Sequence, residues 1–141
     1  MNGHAKGFSI IELIIVVVIA GIMMAVAIPK LANSNIDLYS VAGQVKSDIR
    51  YTQELAMSKY AIRKIVFDGG YDTYAIKDSL DQTIESKELP KRSKATFNTT
   101  ISFTFNSSGE PIGGGGTLTI SSGGSNKQIM VSSITGRATV Q

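Results

Sequence analysis

Residues 6 to 21 read KGFSIIELIIVVVIAG, Lys6 to Gly21, and place one carboxylate, Glu12, near the start of an apolar run. No other ionisable side chain occurs between Phe8 and Ile28. An ionised carboxylate in hydrocarbon is costly, so such a residue is by default paired or functional. The partner of Glu12 is therefore the first thing the chain has to supply.

The run Phe8 to Ile28 would form a helix of roughly 31 Å, close to the hydrocarbon thickness of a bilayer. A secretory signal has basic residues, a shorter apolar core and a small-residue cleavage site after that core. Here the small residue, Gly7, precedes the core, and the core is too long for a signal. Read mechanically, the segment predicts an uncleaved signal anchor with Lys6 on the cytoplasmic side and residues 30–141 outside.

The order Lys6-Gly7-Phe8-Ser9-Ile10-Ile11-Glu12-Leu13, an unbroken apolar helix, and then Pro29 resembles the class III signal of type IV prepilins and pseudopilins. The resemblance implies cleavage between Gly7 and Phe8 by an inner-membrane prepilin peptidase, N-methylation of Phe8, and retention of the apolar helix. It also implies a partner for Glu12. Cleavage creates a cation at Phe8, and in this family the matching glutamate is thought to meet the N-terminal amine of a neighbouring subunit during assembly. Burying the two charges together is less costly than burying them apart. The bland alternative is a glutamate that snorkels to the headgroups from near a helix end. Gly21 and Pro29 are the expected kink positions, because proline lacks an N–H and clashes with the carbonyl four residues back.

Beyond Pro29 the sequence stays helical in period. Leu38, Val41, Ala42, Val45, Ile49, Thr52, Ala56 and Tyr60 recur at three and four residues, with Lys46, Asp48, Arg50, Gln53 and Glu54 largely on the other side. A helix ending near residues 61 to 63 would be roughly 80 Å long. A core of this size cannot cover that length, so its first half is expected in lipid or among other subunits. Residues 64 to 67 and 71 to 76 read as a hairpin about Gly69-Gly70, and 78 to 94 as a polar loop. Further strands are predicted at 95 to 105, 116 to 121, 128 to 133 and 137 to 140, with turns at 107 to 109, 123-124 and 135-136.

These expectations describe an α+β chain: leader 1–7, membrane or filament-core helix 8–29, amphipathic continuation 30–63, and a β-rich part at 64–141. The resemblance makes it a type IV pilin-like fold. The early hairpin, the segment Phe105 to Pro111 and the ending Ser133-Ile134-Thr135-Gly136-Arg137 are similar to the branch that includes the H-type pseudopilins of type II secretion and FimT-type minor pilins.

Little in the chain points to catalysis. The 141 residues include no cysteine, and the one histidine, His4, lies in the expected leader. Disulfides, thiolate metal sites and histidine-activated hydroxyls are thereby excluded from the mature chain. Gly113 to Gly116 is not followed by Lys-Ser or Lys-Thr, and the next segment is strand-like, so it reads as a hairpin loop and not a phosphate loop. Asp68, Asp72, Asp78 and Asp81 lack the spacing of a calcium loop. No cofactor or metal is expected.

The formal charge is +3, and from Pro111 onward Lys127 and Arg137 are the only charged residues. A second basic group is Lys91, Arg92 and Lys94. Resemblance to FimT-type pilins, where a Gly-Arg-x-Arg segment is associated with DNA binding in natural transformation, raises Arg137, Lys127, Lys91, Arg92 and Lys94 as possible phosphate contacts. This chain reads Gly136-Arg137-Ala138-Thr139 and lacks the second arginine. The leading expectation is a minor pilin or pseudopilin, a structural subunit of a type II secretion pseudopilus or a type IV pilus. It would cross the bacterial inner membrane once with its C-terminal part in the periplasm. The expected partners are other subunits, the peptidase and the inner-membrane platform protein. A DNA-uptake pilin and a single-span protein unrelated to filaments are the alternatives.

Overall fold

The computed structural model describes residues 9 to 141, apart from the side chains of residues 25 to 36. The chain divides into two compact units between Asn33 and Ser34. Helix α1, Ile10–Ser58, begins in the first and ends in the second.

In the first unit the Ser9 carbonyl accepts from the amides of Glu12 and Leu13 at 3.0 and 3.2 Å, which starts the helix. Glu12 sits in that first turn, where a negative charge complements the unpaired N–H groups. Apolar side chains from Ile10 to Met24 point outward all round: Ile10 is 79% exposed, Val16 58% and Met24 62%. Among the described residues no helix is long and apolar enough to cross a membrane. The fully described apolar stretch stops at Met24, short of the roughly 20 residues a crossing needs. Phe8 and the residues around Pro29 lie outside it, so the expected span 8–29 is described only in its middle.

In the second unit the amphipathic face forms as its spacing predicts. Leu38, Val41, Ala42, Val45, Ile49, Thr52 and Ala56 are all buried. Tyr60 is the exception, at 87% exposed. The helix ends at Ser58, earlier than the sequence suggests, because the chain turns left-handed at Tyr60 (φ 47°). The Ala61 amide then reaches back to the Ala56 carbonyl at 3.1 Å, a Schellman closure. That closure usually uses glycine, since a side chain in this conformation costs about 1 kcal/mol. Tyr60→Gly should therefore raise unfolding stability by roughly 0.5 kcal/mol, read as a higher denaturant midpoint at unchanged slope.

Nine strands follow: β1 (Arg63–Phe67), β2 (Thr73–Asp78), β3 (Thr83–Glu88), β4 (Thr96–Phe97), β5 (Ile101–Phe105), β6 (Pro111–Ile112), β7 (Gly116–Ser122), β8 (Ser125–Val131) and β9 (Ala138–Val140). They make a five-stranded sheet, β3-β2-β1-β5-β6, and a four-stranded sheet, β4-β7-β8-β9, with every strand pairing antiparallel. The hairpin β1–β2 and the turns at 107–109, 123–124 and 135–136 fall where the sequence places them.

Three expectations are corrected. Residues 78 to 94 are not all loop, since they contain β3 and a short 3-10 helix at Lys91–Ser93. The half-buried positions of β3 are Glu85 and Lys87, while Ile84 is exposed, so the strand carries the reverse of the usual apolar alternation. Residues 95 to 105 are two strands in different sheets, β4 and β5. The Gly113 to Gly116 run joins β6 to β7, also in different sheets, and so is a crossover, not a hairpin loop.

One apolar core unites the helix face with both sheets. Its centre is aromatic: the Phe67 ring lies 5.3 Å from Tyr74, 4.9 Å from Phe97 and 6.2 Å from Phe103. Rings from β1, β2, β4 and β5 thus meet where the two sheets come together.

Candidate functional site

Gly7 and Phe8, the expected processing and methylation positions, lie outside the described residues. Glu12 is described and exposed, four residues along the sequence from Phe8. At the expected kink positions, Gly21 and Pro29, the helical assignment continues without a break, and a methyl group added at Gly21 would meet nothing within 4 Å. The side chain of Pro29 is outside the described residues.

The five candidate cations are spread across the four-stranded sheet. Lys91 and Arg92 lie on the 3-10 helix and Lys94 caps it, just ahead of edge strand β4. Arg137 precedes β9 at the opposite edge of the same sheet. The Lys127 ammonium sits 3.8 Å above the Tyr39 ring, a cation–π contact that engages it with the helix. Lys91 lies 4.0 Å from Glu88. Lys127, on β8, lies between the β4 and β9 edges.

Arg137 has different neighbours, and the sequence reading missed them. Gln53 donates to the Gly109 carbonyl at 2.6 Å and to the Thr135 carbonyl at 2.9 Å, tying two distant turns to one helical position. Gly136 is needed there, with φ 68° and a site where an added methyl would come within 2.8 Å of the Phe105 ring. The turn is closed by the Gly136 amide on the Ser132 carbonyl and the Ser132 amide on the Arg137 carbonyl, both at 3.0 Å. With its backbone so fixed, Arg137 joins Lys46, Arg50, Gln53 and Ala138 around a cleft of 340 Å³. Lys46, Arg50 and Gln53 are spaced to share one helix flank, which is the signal that could have marked them. No spacing rule connects them to residue 137.

The other helix flank carries a polar latch. Asp48, placed on the outer side by periodicity, has a side chain only 13% exposed. It accepts hydrogen bonds from the Tyr74 hydroxyl and the Lys87 ammonium, each at 2.6 Å. Burial pushes the Tyr74 phenol far above its ordinary value, and the hydrogen bond to and charge of Asp48 push it further. For Lys87, burial alone would lower the value, but the bond to Asp48 and the charges of Asp48 and Glu85 outweigh it, and the net direction is up.

Both groups hold their protons more tightly when folded. Their contribution is thus complete below the ordinary values of 10.0 and 10.5 and is lost as pH climbs above them. Thermal unfolding measured across pH should be insensitive to these two groups up to about pH 9.5 and fall beyond it. Tyr74→Phe should lose part of that alkaline fall; an unchanged alkaline limb would remove Tyr74 from it.

Among the described residues no cluster of three metal-ligating side chains occurs. Asp78 instead accepts from the Leu80 and Gln82 amides, both at 2.9 Å, and Asp81 pairs with Lys64 at 2.5 Å.

Compared with known proteins, residues 2–28 match the prokaryotic N-terminal methylation motif. The chain is 41% identical over 66 residues to the type IV narrow pilus major component PilA5 of Thermus thermophilus, a match that covers 47% of this chain. The matched region is about half, 52%, of that relative's length. Two crystal structures of the type IV minor pilin FimU of Pseudomonas aeruginosa share the fold at 16% identity. One has a TM-score of 0.62, covering 76% of this chain and 90% of FimU; the other has 0.58, covering 74% and 92%. The chain is thus headed by a methylation motif, and behind it lies a fold like that of type IV minor pilins.

Proposed function

We propose that the chain is a minor-pilin-like structural subunit of a pilus, held in the bacterial inner membrane by its N-terminal helix until it is assembled. The motif and the fold are those of structural subunits, not enzymes. In this reading prepilin peptidase cuts between Gly7 and Phe8, Phe8 is methylated, and the platform protein draws the chain into a filament with other pilin subunits. The observation that carries it is the helix from Ile10 to Met24, whose large apolar side chains are exposed on every face. Each one removed from water is worth roughly 2 kcal/mol, so the segment is stable only in lipid or among like helices. A filament of sister subunits supplies the second.

Glu12 supplies register in this scheme. It is the single ionisable group in the segment, and an amine at Phe8 of a neighbouring subunit neutralises it. Glu12→Ala should leave the Gly7–Phe8 cut intact and lower incorporation into filaments roughly ten-fold or more. Mature N-terminal sequencing and immunoblotting of sheared filaments measure the two. Wild-type incorporation would remove Glu12 from assembly, and material that still begins at Met1 would remove the reading itself.

A further inference from the structure

The cleft beside β9 is lined by Lys46, Arg50, Gln53, Arg137 and Ala138 and has no acid in its wall. Among the described residues neither Lys46 nor Arg137 has an ion pair, and Arg50 engages Glu54 through Nε at 2.9 Å. At 100° per residue, Lys46, Arg50 and Gln53 stand about 140 to 200° around α1 from Asp48. Asp48 faces β2 and β3 through Tyr74 and Lys87. The cationic cleft and the β2–β3 side therefore occupy opposite flanks of the helix.

The turn joining β1 to β2 hydrogen-bonds to Phe97 of β4, the sheet edge opposite β9, and most acids of β2, β3 and their loops are already engaged. Asp81 is held by Lys64, Glu85 by Lys87 and Glu88 by Lys91, while Asp78 caps its own turn. Asp68 and Asp72, at either end of the turn joining β1 to β2, have no ion pair among the described residues. Between them Tyr71 stands 67% exposed. One molecule thus presents unpaired cations beside β9 and unpaired carboxylates with an aromatic ring beside β4, the opposite edge of the same sheet.

We propose that the cleft of one molecule receives the turn Asp68 to Asp72 of a second copy of this chain. The carboxylates meet Lys46 and Arg137, and the Tyr71 ring stacks on a guanidinium, chemistry that suits arginine better than lysine. The two surfaces differ, so the contact is head to tail and repeats from molecule to molecule without using itself up. This rests on the reading of the chain as a filament subunit and gives that reading a specific lateral contact outside the apolar helix.

The test uses the full chain in detergent, an equal mixture of nitrogen-15-labelled and unlabelled protein, treated with a zero-length carbodiimide cross-linker. Mass spectrometry then distinguishes links between molecules from links within one. The expected product is an intermolecular amide between Lys46 and Asp68 or Asp72, reduced roughly ten-fold in Arg137→Glu and by 0.5 M salt. Arg137→Glu mixed with Asp68→Lys/Asp72→Lys should recover association that each variant alone has lost. Intermolecular links that never join Lys46 to the 68–72 turn overturn this contact and leave the filament reading standing. Absence of any intermolecular product also overturns this contact, while the filament reading is judged by incorporation into sheared filaments. Protection of Lys46 by added duplex DNA, with no Lys46–Asp product, overturns it in favour of a phosphate ligand.

Discussion

Gly115→Ala is expected to be the most damaging single substitution in the folded unit, costing roughly 3 kcal/mol or more in a denaturant titration. Gly115 ends the crossover from one sheet to the other. A methyl group there would fall onto the Val131 carbonyl oxygen, 2.6 Å from the Ser133 amide nitrogen and 2.9 Å from the Ser132 carbonyl carbon. All three neighbours are main chain, so no rotamer change relieves the contact. Val131 is also the partner of Gly116 at the end of the β7–β8 ladder. Relief therefore means parting the two strands, and with them the turn that positions Arg137. Gly43→Ala is the control, since its methyl would meet nothing within 4 Å on an exposed helical position. A Gly115→Ala protein within 1 kcal/mol of wild type, against that control, would show that the strands can part cheaply.

Asp48→Ala should cost roughly 2 to 4 kcal/mol. Tyr74 is 1% exposed and its hydroxyl would be left without its 2.6 Å acceptor. Lys87, with a side chain 24% exposed, would lose the carboxylate that offsets its burial. Removing the other partner is less harmful: Lys87→Met replaces a half-buried charge by a side chain of similar length and leaves Asp48 bonded to Tyr74. Thermal unfolding of both single variants and the double variant forms a cycle whose coupling should be about 1 kcal/mol or more. Equal losses in the two single variants would mean that Asp48 serves Lys87 alone and that Tyr74 finds another acceptor.

The helix was legible because its buried face, Leu38 to Ala56, is apolar at regular spacing and nothing competes with that period. The turns were legible because glycine marks them. β3 was hidden, since an edge strand whose half-buried positions are Glu85 and Lys87 carries no apolar alternation. The split between β4 and β5 was hidden too: whether adjacent strand-like residues stay in one sheet depends on partners far along the chain. Tyr60 fitted the helical period yet lies outside the helix, because the closure at Ala61 overrides side-chain spacing. At the N-terminus, the spacing of Lys6, Gly7, Phe8 and Glu12 was legible directly, and residues 2–28 match the methylation motif. The cleft was invisible for the opposite reason, as Arg137 meets Lys46 and Arg50 only through the turn that Gln53 holds.

The Gln53 amide also sets an order of events. Its two acceptors lie 56 and 82 residues further along the chain, at Gly109 and Thr135. Closing such long loops is entropically slow, and the acceptors exist only after a further 56 and 82 residues have been synthesised. The apolar part of α1 leaves the ribosome before both acceptors, by a margin of seconds at ordinary elongation rates of roughly 5 to 20 residues per second. Nascent chains are therefore delivered as a finished hydrophobic segment trailing an unfolded remainder, and the C-terminal turn is the latch whose arrival completes the domain.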